Sequence, residues 1–248
     1  VNRSPELIVA LDVPSLADVP VVLDRLPDDI HWYKVGLELF SAAGPAVLAL
    51  LRERQKRIFL DLKLHDIPNT VAHAVRAICA HEVDLLTVHA LGGQAMLRAA
   101  ADAARQDGDR APKLVAVTTL TSLAQEDLTA IGVQRALSDQ AQALGALAIE
   151  CGIDGLVCSV HEARRLRDAL GPTPLLVTPG IRLAGDAVGD QKRVATPTEA
   201  VRNGSDYLVV GRSLLNAPDP AAVAKKFKTA IDEAGESPRS GPVVPHNA

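Results

Sequence analysis

A chain of 248 residues, 48% hydrophobic and 23% charged, can bury a substantial core and has the usual length of one α/β domain rather than two. With a formal charge of −4 and its Lys and Arg dispersed, it has no basic stripe of the kind a nucleic-acid duplex requires, so nucleic acid is not an expected partner. No apolar stretch approaches the ~20 residues that span a bilayer, and the first residues lack the pattern of a signal peptide, so a soluble, cytoplasmic protein without a membrane partner is expected.

Short apolar runs at residues 6–11, 31–36, 57–62, 84–89, 113–118, 154–158, 174–178 and 207–211 are each followed by a stretch of helical periodicity. Eight strand-helix units are what a closed parallel sheet needs, so the expected fold class is α/β, a TIM (β/α)8 barrel. The runs Leu7–Leu11 and Tyr207–Val210 are nearly continuously apolar, as strands covered on both faces must be. After the third run, Val71, Val75, Ile78 and Cys79 mark one helical face behind Pro68. A polar connection from Ser122 to Asp139 separates the fifth run from its helix and is long enough to cover a mouth. After the last run, Asp219 and Pro220 open a helix carrying Val223, Phe227 and Ile231. The competing architecture, an open doubly wound sheet, would show a glycine-rich loop after the first strand, where this chain has Asp12-Val13-Pro14-Ser15. Gly and Pro are spread evenly, and only the end from Gly235 reads as loose. One domain over residues 1–235 with a disordered tail over 236–248 is expected. Cys79, Cys151 and Cys158, odd in number and widely spaced, read as small apolar fillers rather than as disulfides or metal ligands.

In a barrel the chemistry sits where strands deliver side chains to their C-terminal ends. Those ends are polar here: Asp12 after the first run, Lys34 in the second, Asp61 and Lys63 closing the third, then His65 and Asp66 in the following loop. Alternation with period two puts Phe59, Asp61 and Lys63 on one face and Ile58, Leu60 and Leu62 on the other, so the charges face the mouth. Clustering Asp61, Lys63 and Asp66 costs several kcal/mol in desolvation that stability alone does not repay, which favours a functional reading. Lys63 between carboxylates stays an ammonium and serves as an acid, not as a Schiff-base amine. His65, His89 and His161 lie near strand ends without metal-ligand spacing, and read as hydrogen-bonding residues that shape loops. Across the barrel, Thr178-Pro179-Gly180-Ile181-Arg182 and Gly211-Arg212-Ser213 combine glycine with arginine where this architecture binds phosphate.

The segment Asp61-Leu62-Lys63-Leu64-His65-Asp66-Ile67-Pro68-Asn69-Thr70 resembles the signature of the orotidine 5′-phosphate decarboxylases. The resemblance runs from Leu7 to about Lys226 and includes Ala10-Leu11-Asp12, Lys34-Val35-Gly36, Val117 to Ser122, Thr178 to Arg182, Gly189-Asp190-Gln191-Lys192-Arg193 and Val210-Gly211-Arg212. It implies a cofactor-free and metal-free decarboxylation of orotidine 5′-phosphate to UMP, the last step of de novo pyrimidine nucleotide synthesis. By the same resemblance, Lys63 is the proton donor to C6, Asp61 the carboxylate beside the departing CO2, and Lys34 a bridge between ribose and the charged array. Asp12 falls on the ribose and Thr121 on the pyrimidine amide. Arg182, Gln191, Gly211 and Arg212 form the phosphate group, with Pro179 also on the substrate side. Asp66, Ile67 and Thr70 are implied to come from the neighbouring subunit of a homodimer. Asp-x-Lys-x-x-Asp alone is also similar to magnesium-dependent sugar-phosphate decarboxylases and hexulose-phosphate synthases, and that family is the alternative; a non-catalytic nucleotide-binding barrel is the alternative outside enzymes.

Overall fold

The computed structural model describes residues 3–183 and 194–236. Gln191 and the tail from residue 237 onward lie outside them, whereas Glu236 ends the last helix. Eight strands, β1 (Glu6–Ala10), β2 (Trp32–Val35), β3 (Arg57–Leu64), β4 (Leu85–His89), β5 (Lys113–Val117), β6 (Gly155–Val157), β7 (Leu175–Pro179) and β8 (Tyr207–Val210), form one closed barrel in sequence order. Every neighbouring pair is parallel, and β1 meets β8 with Glu6 opposite Tyr207. The helices outside are α1 (Asp18–Asp24), α2 (Leu37–Ala43), α3 (Ala46–Glu53), α4 (Pro68–Cys79), α5 (Gly93–Gln106), α6 (Gln125–Ala130), α7 (Leu137–Glu150), α8 (Val160–Leu170), α9 (Pro197–Arg202), α10 (Arg212–Leu215) and α11 (Pro220–Glu236). Among the described residues no helix is long and apolar enough to cross a membrane.

The near-continuous apolar runs fill two cores at once. Ile8, Trp32, Phe59, Leu85, Val115, Leu175, Val177 and Val209 pack inside the barrel. Their neighbours, among them Leu7, Val9, Tyr33, Ile58, Leu60, Leu86 and Val210, pack outward with Val75 and Ile78 of α4 and Phe227 and Ile231 of α11. The three cysteines are buried and form no disulfide with one another, and burial pushes the Cys79 thiol up to about 11, so it behaves as an apolar filler.

Two expectations need correction. The Ser122–Asp139 connection is not plain loop: it contains α6, whose Leu128 is buried, and α7 begins at Leu137. Polar helical faces hide a single buried leucine from a pattern search. The third strand also continues past Leu62 to Leu64, with its register against β4 shifting between Leu60 and Leu64.

The N-terminal rim is closed by a repeated device. Asp84, Asp154 and Asp206 each stand one residue before an even-numbered strand and accept the backbone N–H of the second residue of the strand before it: Ile58 at 2.8 Å, Leu114 at 2.9 Å and Leu176 at 2.8 Å. Each aspartate also meets a cation, Arg57, Lys113 and Arg167 respectively. Arg167 is the most enclosed of the three, donating to Asp206 at 2.8 Å and to the carbonyls of Pro174 at 2.8 Å and Gly204 at 2.7 Å. Replacing Asp206 with Ala leaves the enclosed Arg167 guanidinium without its carboxylate partner and the Leu176 amide without its acceptor, and should cost about 3–5 kcal/mol of stability. Replacing the exposed Ile131 with Ala should change it by less than about 0.5 kcal/mol. Urea denaturation of both variants checks the contrast; similar midpoints would remove the rim device from the stability of the fold.

Candidate active site

The C-terminal end of the barrel opens into a cleft of about 210 Å³ lined by the ends of strands and the loops after them. Its floor is apolar, made by inward-facing Phe59, Val117, Val157 and Val209. On one side a row of alternating charge crosses three strands. Lys34 Nζ lies 3.7 Å from both Asp12 Oδ1 and Asp61 Oδ2, and Lys63 Nζ donates to Asp61 Oδ1 at 2.8 Å. The side chains of Lys34 and Asp61 are 15% and 14% exposed, so the middle of the row is held where water screens it little.

The row depends on an unusual stretch of backbone. Lys63 takes a left-handed conformation, φ 52°, within the register shift of β3. That conformation costs a residue with a side chain roughly 1–2 kcal/mol and is kept only where its surroundings enforce it. Here the Lys63 N–H donates to Thr87 Oγ1 of β4 at 2.7 Å, and the Thr87 hydroxyl lies 3.1 Å from Asp61 Oδ1. Thr87 is wholly buried. No motif points to it; the only trace in the sequence is a hydroxyl inside the apolar run Leu85-Leu86-Thr87-Val88.

The opposite wall is an anion site in chemical character. Gly180, at φ 82°, turns the chain out of β7 so that Ile181 bridges to Ala195 and the Arg182 N–H donates to the Ala195 carbonyl at 3.0 Å. Arg182 Nε is buried without a hydrogen-bond partner among the described residues. Gly211 lets the end of β8 close on β1, since a Cβ there would lie 2.8 Å from Asp12 Oδ2. Arg212 and Ser213 follow at the rim, and Thr121 lines the side formed by the β5 loop.

Asp12, Lys34, Asp61, Lys63, Thr121, Pro179, Arg182, Gly211 and Arg212 thus share one cleft. Asp66, Ile67 and Thr70 do not line it. They are exposed on the loop after β3 and the first turn of α4, with Ile67 at 67%. Besides Thr87, the sequence pattern does not single out Val157 and Val209 of the apolar floor, whose only signal is inward alternation at strand ends. Among the described residues no group of three or more His, Cys, Asp and Glu is arranged to hold a metal ion.

His89 shapes a loop, as its environment suggests. Its Nδ1 accepts the Leu91 N–H at 3.3 Å, and its ring stacks on His65 at 5.3 Å. His161 is exposed on α8. Burial, with the nearby His65 and Lys63 charges adding, pushes the His89 pKa down from 6.5 to about 4. The folded state therefore binds the His89 proton less readily than the unfolded state does. The neutral ring contributes its full stability above about pH 6.5, and that contribution drains away as pH falls towards 4. In His89→Asn, whose amide oxygen can accept the same N–H, the fall in stability between pH 6.5 and 4 should be shallower by up to about 1.4 kcal/mol per pH unit. Parallel urea curves at several pH values read this slope, and identical slopes would exclude the histidine.

The sequence profile described as "Orotidine 5'-phosphate decarboxylase / HUMPS family" matches residues 5–227. Orotidine 5′-phosphate decarboxylase of Moorella thermoacetica is 50% identical over 236 residues, covering 93% of this chain and 94% of that protein. The enzyme of the same description from Gloeothece citriformis is 48% identical over 221 residues, covering 89% and 94%. Among solved structures, orotidine 5′-phosphate decarboxylase from Lactobacillus acidophilus superposes with a TM-score of 0.82 at 37% identity, covering 92% of this chain and 99% of that one.

Proposed function

The chain belongs to the orotidine 5′-phosphate decarboxylase / HUMPS family, and from that premise we propose how its cleft converts orotidine 5′-phosphate to UMP and CO2. The observation that carries the reading is the Lys63 ammonium, fixed 2.8 Å from Asp61 at the edge of an apolar floor, facing a wall that holds Arg182 and Arg212. The phosphate goes to Arg182, Gly211 and Arg212, joined by Gln191 and flanked by Pro179. The ribose meets Asp12 and Lys34, and the pyrimidine amide meets Thr121. The C6 carboxylate is then directed towards Asp61 and Lys63.

Breaking the C6–carboxylate bond leaves its electron pair on C6, an sp² carbanion with poor delocalisation. A fixed cation beside that carbon stabilises the developing charge more than it stabilises the substrate, and the apolar floor strengthens the attraction. Lys63 then donates its proton to C6, giving UMP, and regains one from solvent. Asp61 aims the ammonium. No step requires a cofactor or a metal ion. The reaction completes de novo pyrimidine nucleotide synthesis, and we place it in the cytoplasm, in a single catalytic domain over residues 1–235, with neither nucleic acid nor membrane as partner.

The loss of absorbance on converting orotidine 5′-phosphate to UMP tests this directly. Turnover should persist after exhaustive chelation, and activity restored only by magnesium would point to the sugar-phosphate branch instead. Lys63→Ala should lose well beyond the roughly 10²–10⁴-fold typical of general acid catalysis, because the fixed cation goes with the proton. Near-normal turnover in that variant would remove Lys63 from the chemistry.

The working unit we propose is a homodimer with shared sites. Leu37, Ile67 and Leu91 are 56%, 67% and 47% exposed, and they follow the adjacent strands β2, β3 and β4. Large apolar side chains exposed together at one rim favour burial against a second copy, and an isologous contact there carries Asp66, Ile67 and Thr70 to the partner's cleft. Lys63→Ala and Asp66→Ala homodimers should each be severely impaired. After chain exchange about half the dimers are mixed, and one site in each mixed dimer has both native residues, so about a quarter of all sites should recover. Native mass spectrometry confirms the exchange; mixed dimers as inactive as the parents would end the shared-site model.

A further inference from the structure

We infer that Thr87 is a positioning residue for decarboxylation, its hydroxyl locking Lys63 at both backbone and ammonium; the inference rests on the reading of the cleft given above. A hydroxyl has one proton to donate and lone pairs to accept with. Thr87 Oγ1 accepts from the Lys63 N–H at 2.7 Å, a group that can only donate, so the hydroxyl proton is left for the acceptor in reach, Asp61 Oδ1 at 3.1 Å. The same carboxylate oxygen accepts from Lys63 Nζ at 2.8 Å. The contacts form a closed ring that leaves Lys63 at its backbone, passes through Thr87 and Asp61, and returns at the ammonium.

Three observations make this more than a satisfied core threonine. The register shift of β3 falls between Leu60 and Leu64, so Thr87 receives the Lys63 N–H with its side chain where the ladder is interrupted. Lys63 adopts φ 52°, a conformation that needs outside support. Thr87 is also the one hydroxyl of β4, completely buried, in a strand otherwise composed of Leu, Val and His. Its contacts run to the two residues that face the reacting carbon and to none of those on the phosphate wall. A misplacement of about 1 Å in a reacting group can cost 10²-fold in rate, so loosening the ring should act on turnover rather than on binding.

Thr87→Val keeps the branched shape and removes the hydroxyl; Thr87→Ser keeps the hydroxyl and removes a methyl group. If the hydroxyl matters, Val should lower kcat by about 10²-fold with KM and UMP affinity within about threefold, and Ser should stay within a few-fold of wild type. If the residue only fills space, the order reverses, because Val fills the site better than Ser. Equal kcat in wild type and Val, or a Ser variant as slow as Val, overturns the inference. Circular dichroism and urea curves confirm that each variant is folded. Should Val fail to fold, Thr87→Cys, of similar bulk with a weaker donor, takes its place with the same expected order. Wild-type turnover of orotidine 5′-phosphate is measured first. Its absence would overturn the functional reading and this inference together, whereas normal wild-type turnover beside a normal Val variant overturns this inference alone.

Discussion

An ammonium placed against a carboxylate at the edge of an apolar cavity is the constraint around which the upper half of the molecule is organised. Neither Lys63 nor Asp61 is fully screened by water, and each stabilises the other at 2.8 Å. Such a pair gains little net stability, because desolvation offsets most of the attraction. Its value lies in direction. A cation that already has its geometry before substrate arrives needs no reorganisation as charge develops on carbon, and solvent could not offer the same. The left-handed turn at Lys63, the interrupted ladder and the buried threonine behind it are the local cost of that geometry.

The barrel supplies the opposite virtue, rigidity without commitment. Inside, a column of Ile, Trp, Phe, Leu and Val side chains leaves little room for strand ends to drift, and a second core locks the same strands to the helices. Because both faces of each strand are occupied, the seven strand ends lining the cleft keep their spacing. Lys34 of β2, in register with Ala10 of β1 and Phe59 of β3, is therefore held 3.7 Å from side chains of both neighbouring units.

Most of this architecture is legible in the sequence because burial on both faces writes an unbroken apolar run, and eight such runs match eight strands to within two residues at each end. The charged row is legible for a related reason: Asp12, Lys34, Asp61 and Lys63 stand at the ends of runs that otherwise exclude charge. What escapes is what depends on pairs distant along the chain. Thr87 reads as a strand residue until the register shift of β3 brings Lys63 to it. Helix α6 turns mostly polar residues to solvent, and its single buried Leu128 carries no period. Arg167 looks like any basic helical residue, and only the carbonyls gathered at the N-terminal rim reveal that it is enclosed.

The rim aspartates also bear on how the chain assembles. Each one ties an odd-numbered strand to the even-numbered strand that follows it, across sequence separations of 26, 40 and 30 residues. Contacts of such short range close modest loops and can form early, before distant parts of the chain meet. During synthesis the pairs β3–β4, β5–β6 and β7–β8 can each latch as their second strand leaves the ribosome. The seam between β1 and β8 is different, joining the two ends of the barrel. It has to wait until nearly the whole chain has been made, and until then the half-built sheet carries two open edges that only its own last strand can cover.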